Sequence, residues 1–209
     1  MSQIDTLELN NSAGYSISGT TSIQYRLIPK KGIFNTTGGT LKFLSTSATH
    51  IATIDFSASN TGSINGNIVA ERWVPVAGKN QHYIASPLNN LPLSQWGASG
   101  TAGFVIPTSD CDETQIQSGS PYGTVFKNHE DQSATCALKG WESLTSGNAD
   151  NARGYSVYLD GNQTLSINGS PNFSNSYNLA GLSNTGWATH TSKQGRPMSA
   201  GWNLVGNPY

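Results

Sequence analysis

The chain has 209 residues, of which 11% are charged, and eleven basic residues nearly balance twelve acidic ones, giving a formal net charge of −1. No basic run is present, so the composition excludes the electrostatic attraction that draws proteins to nucleic acids and anionic membranes. No apolar stretch is long enough for a transmembrane segment. Aromatic residues make up 9% of the chain, which indicates a folded protein rather than a disordered one.

Residues 1–70 contain short alternating apolar runs separated by Gly, Ser, Thr and Asn, which is the pattern of strands and turns. The predicted strands are 7–9, 15–17, 23–27, 41–43, 51–54 and 64–68. This succession of short strands and turns is typical of the rungs of a β-solenoid and also of a sheet of short strands in a β-sandwich. Because no fixed repeat period is present, both alternatives remain open.

The regular pattern of short strands and turns ends near residue 70, where we place a domain boundary. Residues 69–75 alternate and end at a proline, as expected for an edge strand. Further core strands are predicted at 82–87, 103–107, 154–159 and 202–205, and Asp160-Gly161-Asn162 predicts a hairpin joining 157–159 to 164–167. The fold class is therefore all-β, with a solenoid-like or sheet segment over 1–70 and a β-sandwich or jelly-roll-like domain over 71–209.

The segment 110–150 has few apolar residues and is predicted to be a long loop. It contains the two cysteines of the chain, Cys111 and Cys136. An even cysteine count in a chain of extracellular composition favours a disulfide that closes this loop, and two unpaired thiols are the alternative.

Acidic residues in the same loop suggest a calcium site. Asp110, Asp112 and Glu113 could supply the hard oxygen ligands that Ca²⁺ prefers. The DxDxDG pattern of a calcium loop is absent, so a solvated loop without metal is the alternative. No other cofactor is expected.

Aromatic residues in turn-rich polar context are the second group of ligand-binding candidates. Exposed rings beside Asn, Asp and Gln bind carbohydrate through apolar stacking and planar polar contacts. The candidates are Trp96, Tyr122, Trp141 and Trp187. Packing in the core is the alternative for each, since most Trp in β domains are buried.

A catalytic role is not expected. His50, His82, His129 and His190 are far apart in the sequence and have no metal-binding spacing. The chain also lacks the GxSxG pattern that marks the serine nucleophile of many hydrolases. The chain is therefore interpreted as a non-catalytic protein.

Five segments, taken in order, carry a family resemblance: 39–45 (GTLKFLS), 64–75 (INGNIVAERWVP), 83–87 (YIASP), 152–158 (ARGYSVY) and 201–209 (GWNLVGNPY). Together they resemble a pattern in large surface and secreted proteins of Bacteroidetes exported by the type IX secretion system. In that family the last segment continues into another strand. The resemblance therefore implies a truncated domain, with a C-terminal sorting domain expected beyond it. The N-terminus has no signal-peptide pattern, which favours an excised piece of a longer protein.

The resemblance implies a secreted or cell-surface location and carries over no residue-specific activity. The leading hypothesis is a structural or adhesive module of a bacterial surface protein. Its partner would be a cell-surface glycan or copies of the chain itself, because a surface with so little charge suits close packing. The alternative is a carbohydrate-binding module of a secreted polysaccharide-degrading protein.

Overall fold

A computed structural model describes residues 2–55, 57–74, 79–98, 125–128, 141–144, 146–160, 163–173 and 204–206. These residues confirm the all-β class, since they form thirteen strands and one short helix. The elements are β1 (Ser2–Asn10), β2 (Tyr15–Ser16), β3 (Gly19–Lys31), β4 (Ile33–Asn35), β5 (Gly39–Phe43), β6 (Thr53–Ile54), β7 (Ser63–Asn65), β8 (Ile68–Val74), β9 (Lys79–Ala85), α1 (Ser94–Ala98), β10 (Val125–Asn128), β11 (Trp141–Ser143), β12 (Gly154–Asp160) and β13 (Gln163–Gly169).

Residues 2–74 stack as the rungs of a parallel β-solenoid. The first sheet has the order β1-β3-β5-β8-β13, with β6 also pairing with β3, and its first four strands are parallel. A second sheet, β2-β4-β7, is parallel as well. Of the two alternatives that the sequence leaves open for this segment, the parallel pairing is that of a solenoid.

The solenoid is held together by columns of apolar side chains that stack from rung to rung. Ile23 of β3 pairs with Phe43 of β5, and Phe34 of β4 pairs with Ile64 of β7. All four side chains are buried. Burying one such side chain contributes about 1.5–3 kcal/mol, so the stacked columns stabilise the solenoid.

A buried threonine fixes one corner of the stack. The hydroxyl of Thr36, which follows β4, donates to the carbonyl of Asn67 at 2.7 Å and lies 3.2 Å from that of Asn65. The backbone N–H of Thr36 also donates to Asn65. These bonds satisfy the backbone carbonyls of Asn65 and Asn67 at the point where the chain leaves the strand ladder. Without Thr36 these carbonyls would lack these hydrogen bonds.

A third sheet, with the order β11-β10-β12-β9, is antiparallel throughout. Two of its strands, β10 and β11, lie within 110–150, so the prediction of one long loop there was wrong for these residues. The predicted hairpin between 157–159 and 164–167 was also wrong. Strand β12 pairs with β9 and β10 in the third sheet, and β13 pairs with β8 in the first sheet, so β12 and β13 belong to different sheets.

The strand predicted to be an edge, at 69–75, is interior in the described structure. Strand β8 pairs with β5 on one side and with β13 on the other. It also spans residue 70, so the first sheet continues across the predicted domain boundary. The division into 1–70 and 71–209, and the sandwich packing of the second part, stay predictions.

Three of the segments that carry the family resemblance meet in space. The N–H of Gly154 donates to Leu204, and the N–H of Gly206 donates to Ala152, each at 2.9 Å. A Cβ atom on Gly206 would lie 2.0 Å from the Cβ of Ala85, and one on Gly154 would lie 2.5 Å from Leu204. The glycines are therefore required by close backbone packing, which gives these segments a structural role.

Candidate functional site

The candidate site is a groove of about 470 Å³ between the first sheet and β9. Its described lining is mostly apolar, as expected of ligand-binding pockets. The described lining residues are Phe43, Ile51, Ala52, Thr53, Ile54, Ile68, Ala70, Glu71, Arg72, Tyr83, Ile84, Ala85, Pro87, Trp96, Leu165, Ile167, Pro171 and Asn172.

The polar side of the groove is organised around Glu71. Its carboxylate lies 2.6 Å from the ammonium of Lys42 and accepts from the backbone N–H of Ser45 at 3.3 Å. Only 13% of the Glu71 side chain is exposed, so the pair is partly shielded from solvent. Glu71 is the single carboxylate among the described lining residues, and its charge is neutralised. The cluster therefore serves to hold β5 against β8.

Tyr83 forms an exposed part of the groove wall. It lies on β9 between His82 and Ile84, and 66% of the residue is exposed. A tyrosine ring offers an apolar face with a hydroxyl at its edge, which is the combination that binds sugar rings. Tyr83 was not among the ligand-binding residues predicted from the sequence. No local sequence pattern singles it out, because Tyr83 and Ile84 are neighbours on β9 and both line the groove.

Trp96, one of the predicted carbohydrate-stacking residues, lies in the core with 2% of its surface exposed. Its ring meets Tyr155 edge to face at a centroid distance of 5.4 Å. The Tyr155 hydroxyl accepts from the backbone N–H of Asp150 at 2.7 Å, and burial raises the pKa of Tyr155 to about 12. Packing, the alternative interpretation of Trp96, describes this environment, because almost none of its surface is accessible to solvent.

Of the other predicted site residues, Trp141 alone lies in the part of the chain that the structure describes. Trp141 begins β11, where its backbone pairs with Asn128. Tyr122, Trp187, Asp110, Asp112, Glu113, Cys111 and Cys136 lie outside the described residues. Among the residues that are described, no group of three or more His, Cys, Asp or Glu is placed to hold a metal ion. The calcium site and the disulfide stay predictions.

Two of the four histidines, His50 and His82, lie in the described part of the chain. The Nδ1 atom of His50 lies 2.9 Å from the hydroxyl of Ser47. That hydroxyl also accepts the backbone N–H groups of Thr49 and His50, so the contact belongs to an exposed turn. Burial lowers the pKa of His82, and its Nε2 atom is buried without a hydrogen-bond partner among the described residues.

Comparisons with protein-family models, with curated proteins and with solved structures find no match to this chain. In the described part of the chain, no helix has the length and apolar character needed to span a membrane.

Proposed function

We propose that the chain is a non-catalytic structural or adhesive module of a bacterial cell-surface or secreted protein. The observation that carries the proposal is the parallel ladder β1-β3-β5-β8, in which each strand pairs with the next through backbone hydrogen bonds. Such stacks are extended scaffolds that hold loops at fixed spacing. Loops displayed on a rigid scaffold are where binding surfaces usually lie.

The surface location rests on composition and on the resemblance. Ser, Thr, Asn and Gly fill the positions where charged residues are common, and the net charge is −1. The segments 39–45, 64–75 and 83–87 resemble type IX-secreted proteins of Bacteroidetes. Gly154 and Gly206, which lie in the segments 152–158 and 201–209, have a packing role. The resemblance in these segments therefore supports a scaffold similar to that of the family and assigns no activity.

Antibody labelling of the source bacterium tests the location and the display of the module. Intact cells should be labelled by an antibody raised against this chain, and permeabilisation should add little signal. Labelling that requires permeabilisation would contradict the proposal. Beads coated with the folded chain, compared with beads coated with heat-unfolded chain, then test adhesion, and equal retention on cells would remove the adhesive role.

Carbohydrate binding is the second candidate function, and the exposed Tyr83 beside the groove favours it. Arg72 and Asn172 line the same groove and would supply planar polar contacts to hydroxyl groups. The predicted ligand is therefore a glycan whose sugar ring stacks on Tyr83. Calcium is not required by this geometry.

Substitution of Tyr83 separates this candidate from the scaffold role. If the groove binds glycans, Tyr83→Ala should abolish the affinity measured by calorimetry and leave the melting temperature unchanged. Tyr25→Ala is the matched control, because Tyr25 is 53% exposed and does not line the groove. Equal affinity of the two variants would exclude Tyr83 as the stacking residue.

A further inference from the structure

The charges around the groove do not cancel. Among its described lining residues, only Glu71 and Arg72 are charged. The carboxylate of Glu71 lies 2.6 Å from the ammonium of Lys42, so these two residues together contribute no net charge. Arg72 takes part in none of the ion pairs of the described residues. The described part of the groove therefore carries one uncompensated positive charge.

The guanidinium group of Arg72 has no acceptor among the residues that the structure describes. Arg72 lies on β8, where its backbone pairs with Leu165 of β13, and the residue is exposed. Its side chain makes no hydrogen bond, ion pair or ring contact in the described part of the chain. Arg26, by contrast, is stacked over the ring of Tyr25, 5.2 Å from the ring centroid. The N–H donors of Arg72 are thus open to a ligand.

The lining of the groove indicates what chemistry this charge would bind. A guanidinium group binds a carboxylate through two parallel hydrogen bonds. The attraction between the two charges is stronger beside apolar walls than in open water, and most of the described lining is apolar. Tyr83, on the same groove, offers an exposed aromatic ring. A ligand that uses all three features has a carboxylate attached to a ring with an apolar face.

We propose that the groove binds an acidic glycan, with the carboxylate of a uronic acid held by Arg72 and the sugar ring stacked on Tyr83. The proposal rests on the carbohydrate-binding function above and deepens it by naming the class of sugar. A neutral glycan would leave the charge of Arg72 without a counter-charge. Because the whole chain has a net charge of −1, it does not attract polyanions in general, and the preference depends on this local charge.

Pairs of oligosaccharides that differ only in charge test the proposal. An array carries oligomers of galacturonic, glucuronic, mannuronic and guluronic acid, each beside its methyl ester, together with neutral glycans. The ester keeps the sugar rings and removes the charge. Calorimetry of the full chain with the best-bound acid and its ester then measures both affinities. The acid should bind about ten- to hundredfold more tightly, as expected for hydrogen bonds to a charged group.

Substitutions of Arg72 assign the preference to this side chain. Arg72→Gln should lower the affinity for the acid to that for the ester, and it should leave the melting temperature unchanged because no described contact is lost. Arg72→Lys keeps the charge without the paired geometry and should retain part of the affinity. Arg26→Gln is the matched control, because it removes the same charge from a residue that does not line the groove, and it should bind like the wild type.

The possible outcomes separate this proposal from the broader one. A preference for the acid that is lost in Arg72→Gln and kept in Arg26→Gln supports it. Equal affinity for acid and ester overturns it, as does binding of neutral glycans alone or a preference that both arginine variants reduce equally. Each of these results would leave carbohydrate binding standing. No binding to any glycan on the array would remove the acidic ligand and the carbohydrate-binding function together.

Discussion

Ser45 connects the segment after β5 to β8 by two hydrogen bonds, one of them through its hydroxyl, at the point where the backbone ladder between the two strands ends. Phe43 and Ala70 are the last paired residues of β5 and β8. Beyond them, the hydroxyl of Ser45 accepts from the N–H of Trp73 at 2.8 Å, and its own N–H donates to Glu71. Ser45 is 1% exposed. Replacing it by alanine keeps the packing but leaves the Trp73 N–H without its partner.

The expected cost of Ser45→Ala follows from that unpaired donor. Leaving a buried N–H unsatisfied costs about 1–3 kcal/mol. For a chain of this size, each kcal/mol lowers the melting temperature by about 2–4 °C, so a fall of about 2–12 °C is expected. Differential scanning calorimetry measures it, with Ser12→Ala, in an exposed turn, as the matched control. Equal melting temperatures for the two variants would refute the role assigned to the Ser45 hydroxyl.

Two further predictions concern the third sheet. Gly206→Ala should destabilise the chain by about 1–3 kcal/mol because its new methyl group overlaps Ala85, and Ala85→Gly in the same chain should recover most of that loss in urea unfolding. Burial raises the pKa of Tyr155 to about 12, above its value of about 10 when unfolded, so stability is fully present below pH 10 and is lost as the pH rises towards 12. Tyr155→Phe should therefore show a smaller loss of stability across that interval, and an identical loss would contradict the burial argument.

The all-β class could be predicted because alternation is a local property of the sequence. The parallel register of the strands could not be predicted, because the number of residues between paired positions varies from rung to rung. Thr20 pairs with Thr40, whereas Leu41 pairs with the more distant Ile68. The predicted 157–167 hairpin failed for a related reason. Asp160-Gly161-Asn162 has the composition of a tight turn. The partners of β12 are nevertheless β9 and β10, which are distant in sequence, so local sequence does not determine this pairing.

The candidate site was less predictable than the fold. Trp96 was proposed as a ligand residue from its polar neighbours in sequence, yet tertiary packing against Tyr155 places it in the core. Tyr83 lies among apolar residues in sequence and is the exposed aromatic residue of the groove. Exposure of an aromatic side chain depends on which face of its strand is covered, and that is decided by neighbouring elements.

The parallel stacking of residues 2–74 is the structural feature on which the scaffold role rests. Disulfide cross-linking tests it in a chain whose Cys111 and Cys136 are replaced by serine. Thr20→Cys with Thr40→Cys should cross-link readily under mild oxidation, because paired strands lie about 4.8 Å apart, within disulfide range. Thr20→Cys with Lys42→Cys, two residues out of register, should not. Cross-linking of the second pair without the first would contradict the parallel stack and the scaffold role built on it.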